Sequence, residues 1–230
     1  DPIRHSRMKL GAYLPGPVLC GSWLPLGAVE QVQVCFNYGC QSEATVSYRD
    51  EQLAEIASLM AKAGQAEAER ARLALAIGLL YRWAGEQTPI SADRGGNHAD
   101  DGVYGKMDCI DHSTTTDRLL KLLDRRGWLR WHRPIEIQRR AWFIFQHYSA
   151  AIEAQGLAEN FGEDTAPELE ALDDAALLRD GWIAARPQPY SARRPVEQRF
   201  VVDSWFVPNG QAAVILPLSN WLRGEGSEVE

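Results

Sequence analysis

The chain has 230 residues, 45% of them hydrophobic and 24% charged, with a formal net charge of −7. That is the make-up of a globular protein long enough to bury a substantial core. An acidic balance without a basic stripe argues against a nucleic-acid partner, and no apolar run reaches the roughly 20 residues that a membrane-spanning helix requires.

The opening to about Pro25, with "LGAYLPGPVLCGSWLPLG", is rich in Gly and Pro and reads as an irregular arm. It begins "DPIRHSRMKL", which fits a mature or trimmed chain. In "EQVQVCFNYGCQSEATVSY", Val32 and Val34 alternate with Gln31 and Gln33, a turn follows at Asn37–Tyr38–Gly39, and a second β-rich run covers Ala44 to Tyr48. With Asn37 and Tyr38 as the loop of a hairpin, Phe36 faces Gly39 and Cys35 faces Cys40, near enough to bridge. A Cys35–Cys40 disulfide would imply an oxidising compartment, the periplasm or the cell exterior. The alternative is a reduced hairpin in a cytoplasmic protein.

Asp50 then reads as the N-cap of a helix over "EQLAEIASLMAKAG", with Leu53, Ile56, Ala57 and Met60 on one face and Gly64 as its stop. "QAEAERARLALAIGLLYRWAG" predicts a longer helix closed by Gly85. Its nearly continuous apolar run from Leu73 to Leu80 points to a central, buried position. The polar, Gly-rich "EQTPISADRGGNHADDGVYGKMD" is a long loop that delivers the chain to Cys109. Its Asp93, Asp100 and Asp101 do not match the spacing of a calcium loop, and Gly95–Gly96 lacks the lysine of a phosphate cradle. Ser113 to Arg126 is helical by pattern, with Gly127 as its end.

Beyond it the period changes. "WLRWHRPIEI", "AWFIFQHYSAAIEA", "RFVVDSWFVPNG" and "QAAVILPL" are β-branched and aromatic runs separated by turn signals. An acidic helical insertion near 159–180 interrupts them, with Thr165 as cap, Pro167 in the first turn, and Leu169, Leu172 and Leu177 on one face. Helices followed by strands predict an α+β fold with a largely antiparallel sheet. One domain is expected over 1–230: arm and hairpin over 1–49, a helical part over 50–126 carrying the cysteine, and a β-sheet part over 127–230.

The chemistry centres on three residues. Cys109 stands at a helix start, where unpaired N–H groups and aligned peptide dipoles favour a thiolate. His147 in "FIFQHYSAAIE" is the best candidate base, and Asp203, a carboxylate inside an apolar strand, needs a buried partner such as a histidine on a neighbouring strand. Asp108 and Asp111 flank the cysteine and would raise its pKa unless they point away. Besides the backbone N–H of Cys109, the oxyanion donors to consider are Gln146, Asn97 and Tyr104. Most tryptophans read as core, and Trp205, two residues beyond Asp203, is the one expected near a substrate cleft.

Other roles for Cys109 are a packed thiol, a bridge to Cys20, or a zinc site with His112 at i, i+3. The remaining histidines, His5, His98 and His132, are too scattered to complete a four-ligand zinc set. His112 reads as a helix N-terminal side chain with a surface or supporting role. The arginine pairs Arg125–Arg126, Arg139–Arg140 and Arg193–Arg194 read as solvated surface. No metal and no cofactor are called for.

In order and setting, "MDCIDHSTTTDRLLKLLDRRGWLRWHRP", "HYSAAIE" and "VVDSW" resemble the cysteine, histidine and aspartate segments of the papain-like superfamily, in its transglutaminase-like and NlpC-like branches. The resemblance covers about Tyr104 to Leu218. More narrowly, "CFNYGC", "MDCID" and the run from "VDSWF" to "PNG" are similar to segments of a group of exported bacterial proteins. The resemblance implies a helical N-terminal half packed on an antiparallel sheet, with Cys109 as nucleophile, His147 as base and Asp203 as its orienter. The expected activity is thiol-dependent acyl transfer, with hydrolysis of a peptide or other amide or ester substrate favoured over transfer to an amine, because water is always at hand. The competing expectation is a non-catalytic binding or assembly module that retains the fold and meets a protein partner at the acidic insertion and the Arg193–Arg194 loop.

Overall fold

A computed structural model describes residues 29–96, 102–142, 145–155 and 198–226. Cys20, Asn97, His98, the acidic insertion and Arg193–Arg194 lie outside the described residues. The first elements are β1 (Glu30–Phe36) and β2 (Ser42–Tyr48), an antiparallel ribbon whose Val32, Val34, Val46 and Tyr48 turn into the core. The expected register needs correcting. Phe36 pairs with Ser42 and Cys35 with Glu43, so the connection is the five-residue stretch from Asn37 to Gln41 rather than a two-residue turn. Asn37, Tyr38 and Cys40 have φ of 65°, 64° and 55°, and Gly39 of 63°. This left-handed run coils the loop back beneath the strand end. The Cys35–Cys40 disulfide therefore forms between the strand end and the loop, with Cα atoms 4.7 Å apart.

α1 (Asp50–Ala61) buries Leu53, Ile56 and Met60. Its cap is Arg49 rather than Asp50, with Gln52 Oε1 accepting the Arg49 N–H at 2.9 Å, and it ends short of Gly64. α2 (Ala66–Gly85) is the central helix, with Leu73, Ala76, Ile77, Leu80 and Tyr81 buried. A Cβ on Gly78 would stand 2.6 Å from the Gln211 carbonyl oxygen, so only glycine lets the chain before the last strand lie against this helix. α2 also supplies the buried Glu69. That carboxylate accepts N–H bonds from Arg130 (2.7 Å) and Trp131 (3.1 Å) and meets His132 Nδ1 at 2.9 Å, fastening the start of the sheet to the helix.

A 3₁₀ turn at Pro89–Ala92 leads towards α3 (Cys109–Arg125). The helix starts four residues before the apolar pattern at Ser113, because Asp108 caps it with bonds from the Ile110 N–H (3.0 Å) and Asp111 N–H (2.9 Å). β3 (His132–Trp142), β4 (Phe145–Ala154), β5 (Arg199–Asp203) and β6 (Val214–Pro217) form a four-stranded sheet in that order, antiparallel throughout. Ala141 and Trp142, expected on the second of these strands, belong to β3, which a register shift between Ile135 and Gln138 lets run on. α4 (Leu218–Leu222) closes the described chain.

The protein is thus α+β. Ala150, Ile152, Phe200, Val202 and Ile215 face the helices, and α3 lies against β4, β1 and β3. On the opposite face Val201 and Leu216 pack with Trp205, Phe206, Leu218 and Trp221, and Cys109 joins this second cluster from the end of its helix.

Candidate active site

Asp108 and Asp111 do not simply oppose a thiolate. Each is held by three backbone N–H groups. Asp111 accepts from Tyr38 (2.8 Å), Cys40 (2.5 Å) and Asp108 (3.1 Å). Asp108 accepts from Gly39 (3.0 Å) in addition to its capping bonds from Ile110 and Asp111. The left-handed loop closed by the disulfide thus presents consecutive amides to the two carboxylates, as a backbone nest does to an anion. The Asn37 side chain accepts the Gly105 N–H at 2.8 Å and so pins the approach to Cys109. Burial raises Asp111 to about 6, with Asp108 adding to the rise and the amides of Cys40, Asp108 and Tyr38 opposing it.

The β4–β5 ladder ends at Ala150 opposite Val202, so β4 from Phe145 to Ser149 runs on past it. Cys109 Sγ lies beside this stretch, 3.9 Å from the Gln146 carbonyl oxygen. Burial pushes its thiol above the ordinary value, helped by the charges of Asp108 and Asp203 and opposed by the Tyr148 amide and its own. Desolvation therefore works against the thiolate that a helix start favours.

His147 of β4 and Asp203 of β5 meet just beyond the end of the β4–β5 ladder. His147 Nε2 lies 2.7 Å from Asp203 Oδ2, and both residues are buried. The carboxylate also accepts the Trp221 indole N–H on Oδ2 at 3.1 Å and the Trp205 amide on Oδ1 at 3.2 Å. An ionised Asp203 takes its proton bond from Nε2–H, which leaves Nδ1 with the free lone pair. Aromatic rings surround the imidazole, with centroids of Trp205 at 4.9 Å, Phe206 at 5.4 Å and Trp221 at 5.7 Å. Arg140, expected on the surface, is folded over Trp221 with Cζ 4.8 Å from the ring centroid, and its Nη1 donates to the Trp221 carbonyl at 2.6 Å. Desolvation lowers the Arg140 guanidinium from its ordinary value, and the charge of Asp203 opposes that shift.

Of the oxyanion candidates, Gln146 faces Cys109 with its backbone carbonyl, while its side-chain oxygen accepts from Arg139 (3.1 Å) and the Tyr148 hydroxyl (3.1 Å). Tyr104 is 69% exposed, its ring edge-on to Phe36, well suited to the rim and not to a buried oxyanion donor. Asn97 lies outside the described residues. Trp205, expected near a cleft, stands against His147 and is buried within the second cluster.

His112, read from the sequence as having a surface or a supporting role, is 2% exposed and so not on the surface. Its Nε2 lies 3.0 Å from Asp93 Oδ2 and its Nδ1 2.9 Å from Ser204 Oγ. Ser204 in turn meets Thr116 Oγ1 at 3.0 Å and the Tyr81 hydroxyl at 3.2 Å. With both ring nitrogens engaged, it is not available as a zinc ligand beside Cys109. The sulfurs of Cys35 and Cys40 approach Asp111 closely enough to suggest a metal group, but bonded to each other they offer no thiolates. The residues whose part in the site sequence reasoning missed are Asp93, Ser204, Trp221 and Arg140, and it left His112 between a surface and a supporting role. His112 alone carried a signal, since it lies on the same stripe of α3 as Thr116, Leu119 and Leu123.

No protein-family model, no curated protein and no solved structure matches the chain.

Proposed function

We propose that the protein is a thiol-dependent acyl-transfer enzyme of papain-like, transglutaminase-like arrangement, hydrolysing an amide or ester through Cys109, His147 and Asp203. The observation that carries this reading is the buried His147–Asp203 pair on the strand beside which the Cys109 sulfur lies. Because burial disfavours the thiolate, His147 is assigned as a general base rather than as half of a resting ion pair. Cys109 Sγ bonds to the acyl carbon as its proton passes to His147 Nδ1. The leaving amine or alkoxide takes that proton as its bond to carbon breaks. Water, deprotonated by the same nitrogen, then splits the thioester and returns the thiol. Asp203 holds the ring in the required tautomer and balances the imidazolium. The Cys35–Cys40 disulfide supports an oxidising location, the periplasm or the exterior, for this chemistry.

One observation favours the second reading, a binding or assembly module: a thiol held above its ordinary pKa is a weak resting nucleophile. One experiment separates the two. The protein is mixed with p-nitrophenyl acetate, release of nitrophenol is followed against pH, and the acetylated residue is located by mass spectrometry. The enzyme reading expects acetyl on Cys109, formed at a rate that falls at least about 100-fold in His147→Ala, the scale of a general base. No acetylation of Cys109, or acetylation indifferent to His147, would overturn it and favour the module.

A further inference from the structure

We propose that His112 is a positioning residue for the Cys109–His147–Asp203 site, fixing the helix that carries the sulfur against the chain that carries the carboxylate. The inference rests on the acyl-transfer reading above.

His112 touches three separate parts of the chain, two through its ring and one through its carbonyl. It sits one turn into α3, three residues after Cys109. On one side it reaches Asp93, whose other carboxylate oxygen accepts the Met107 N–H at 2.9 Å, so the approach to Cys109 is held at both ends. On the other side it reaches Ser204, the residue directly after Asp203. Above it the Tyr81 hydroxyl donates to the His112 carbonyl at 3.1 Å and lies 3.0 Å from Thr116 Oγ1, tying the same turn to the central helix.

Aspartate, histidine and serine in contact invite a reading as a second catalytic triad. Burial argues against it: Ser204 is 5% exposed, and its oxygen is already engaged by His112, Thr116 and Tyr81. No acyl carbon could reach it without unpacking the core. What the arrangement does supply is alignment. The ring meets Asp93 at Nε2 and Ser204 Oγ at Nδ1, so each contact fails if α3 and the segment after β5 slide by more than a few tenths of an ångström. Reacting groups misplaced by about 1 Å lose roughly 100-fold in rate.

The test uses the whole chain with His112→Phe and His112→Gln. Phenylalanine keeps the ring and loses both bonds, whereas glutamine keeps one donor and one acceptor. His132→Gln serves as a control, because it perturbs the buried contact to Glu69 at the far end of the sheet, where His132 pairs with Ala154 and not with the His147 end. Each protein is first shown to unfold cooperatively in urea. Two readouts follow: Cys109 alkylation by iodoacetamide against pH, and acetylation by p-nitrophenyl acetate resolved into kcat and KM.

His112→Phe is expected to displace the alkylation inflection and to lower kcat about 10–100-fold with KM little changed, the range typical of groups that orient a reacting side chain. His112→Gln should recover part of both. His132→Gln should lose stability and keep the wild-type inflection. An inflection and kcat in His112→Phe equal to wild type, or changes no larger than in His132→Gln, would overturn the positioning role. If wild type is never acetylated but His112→Phe still shifts the inflection while His132→Gln does not, the acyl-transfer reading fails and the alignment stands.

Discussion

The loop closed by Cys35 and Cys40 offers a stability effect that can be worked in advance. The cysteines are separated by 5 in sequence, a closed loop of six residues. For a loop of about that length the chain-entropy relation gives roughly 7 cal/mol/K, or about 2 kcal/mol at 25 °C. The perturbation is reduction by a dithiol in a Cys109→Ala background, which removes the bridge and leaves every atom of the loop in place. With a urea slope of about 2 kcal/mol/M, the midpoint should fall by about 1 M. The loop also delivers the Tyr38, Gly39 and Cys40 amides to Asp111 and Asp108. If the bridge is what holds the left-handed run that aims them, reduction and Asp111→Asn should not be additive, and a double cycle should give coupling of about 1 kcal/mol. An unchanged midpoint on reduction would refute the entropic reasoning. A cycle additive within about 0.3 kcal/mol would show that the loop docks on α3 without help from the disulfide.

The same carboxylate makes stability depend on pH in an uncommon direction. Folding raises Asp111 from 3.8 to about 6, so the folded state holds this proton more tightly, and the contribution is fully present below about 4 and is lost as pH rises through about 6. Urea midpoints for Asp111→Asn should vary less than wild type across that window; equal slopes would contradict the shift. Trp221→Phe removes the indole N–H that Asp203 accepts at 3.1 Å while keeping an aromatic ring. It should cost about 1–3 kcal/mol and slow Cys109 acetylation, and an acetylation rate equal to wild type would show that the Trp205 amide suffices to hold Asp203. Glu69→Gln weakens three contacts at a fully buried carboxylate. It should lower stability by about 3 kcal/mol or more with no change in the pH profile of Cys109 alkylation.

What could be read in advance follows from how far a residue's partners lie along the chain. The apolar stripes of α1 and α2 are local patterns, and their ends came within a few residues. Asp203 was legible for a different reason: an ionised carboxylate among Phe200, Val201, Val202 and Trp205 must have a donor, and a histidine on an adjacent strand was the cheapest supply. Asp108 does add to the rise of the Cys109 thiol, as its place beside the cysteine suggested. What sequence distance hid is that Asp108 and Asp111 also hold amides 69, 73 and 71 residues away, exposed by a left-handed run at Asn37, Tyr38 and Cys40 that no residue type there demands. The hairpin register failed for the same cause, since a two-residue turn is the natural choice for Asn–Tyr followed by Gly until the loop has α3 to dock on. Acidic residues three apart at a helix mouth do, however, have a capping meaning that needs no tertiary knowledge. With Asp108 as the cap, α3 starts at Cys109, where the sequence reading placed a helix start, and His112, Thr116, Leu119 and Leu123 fall on one stripe facing the core. A histidine on that stripe must find buried partners for both nitrogens, and the only open question would have been which polar residues come to meet it.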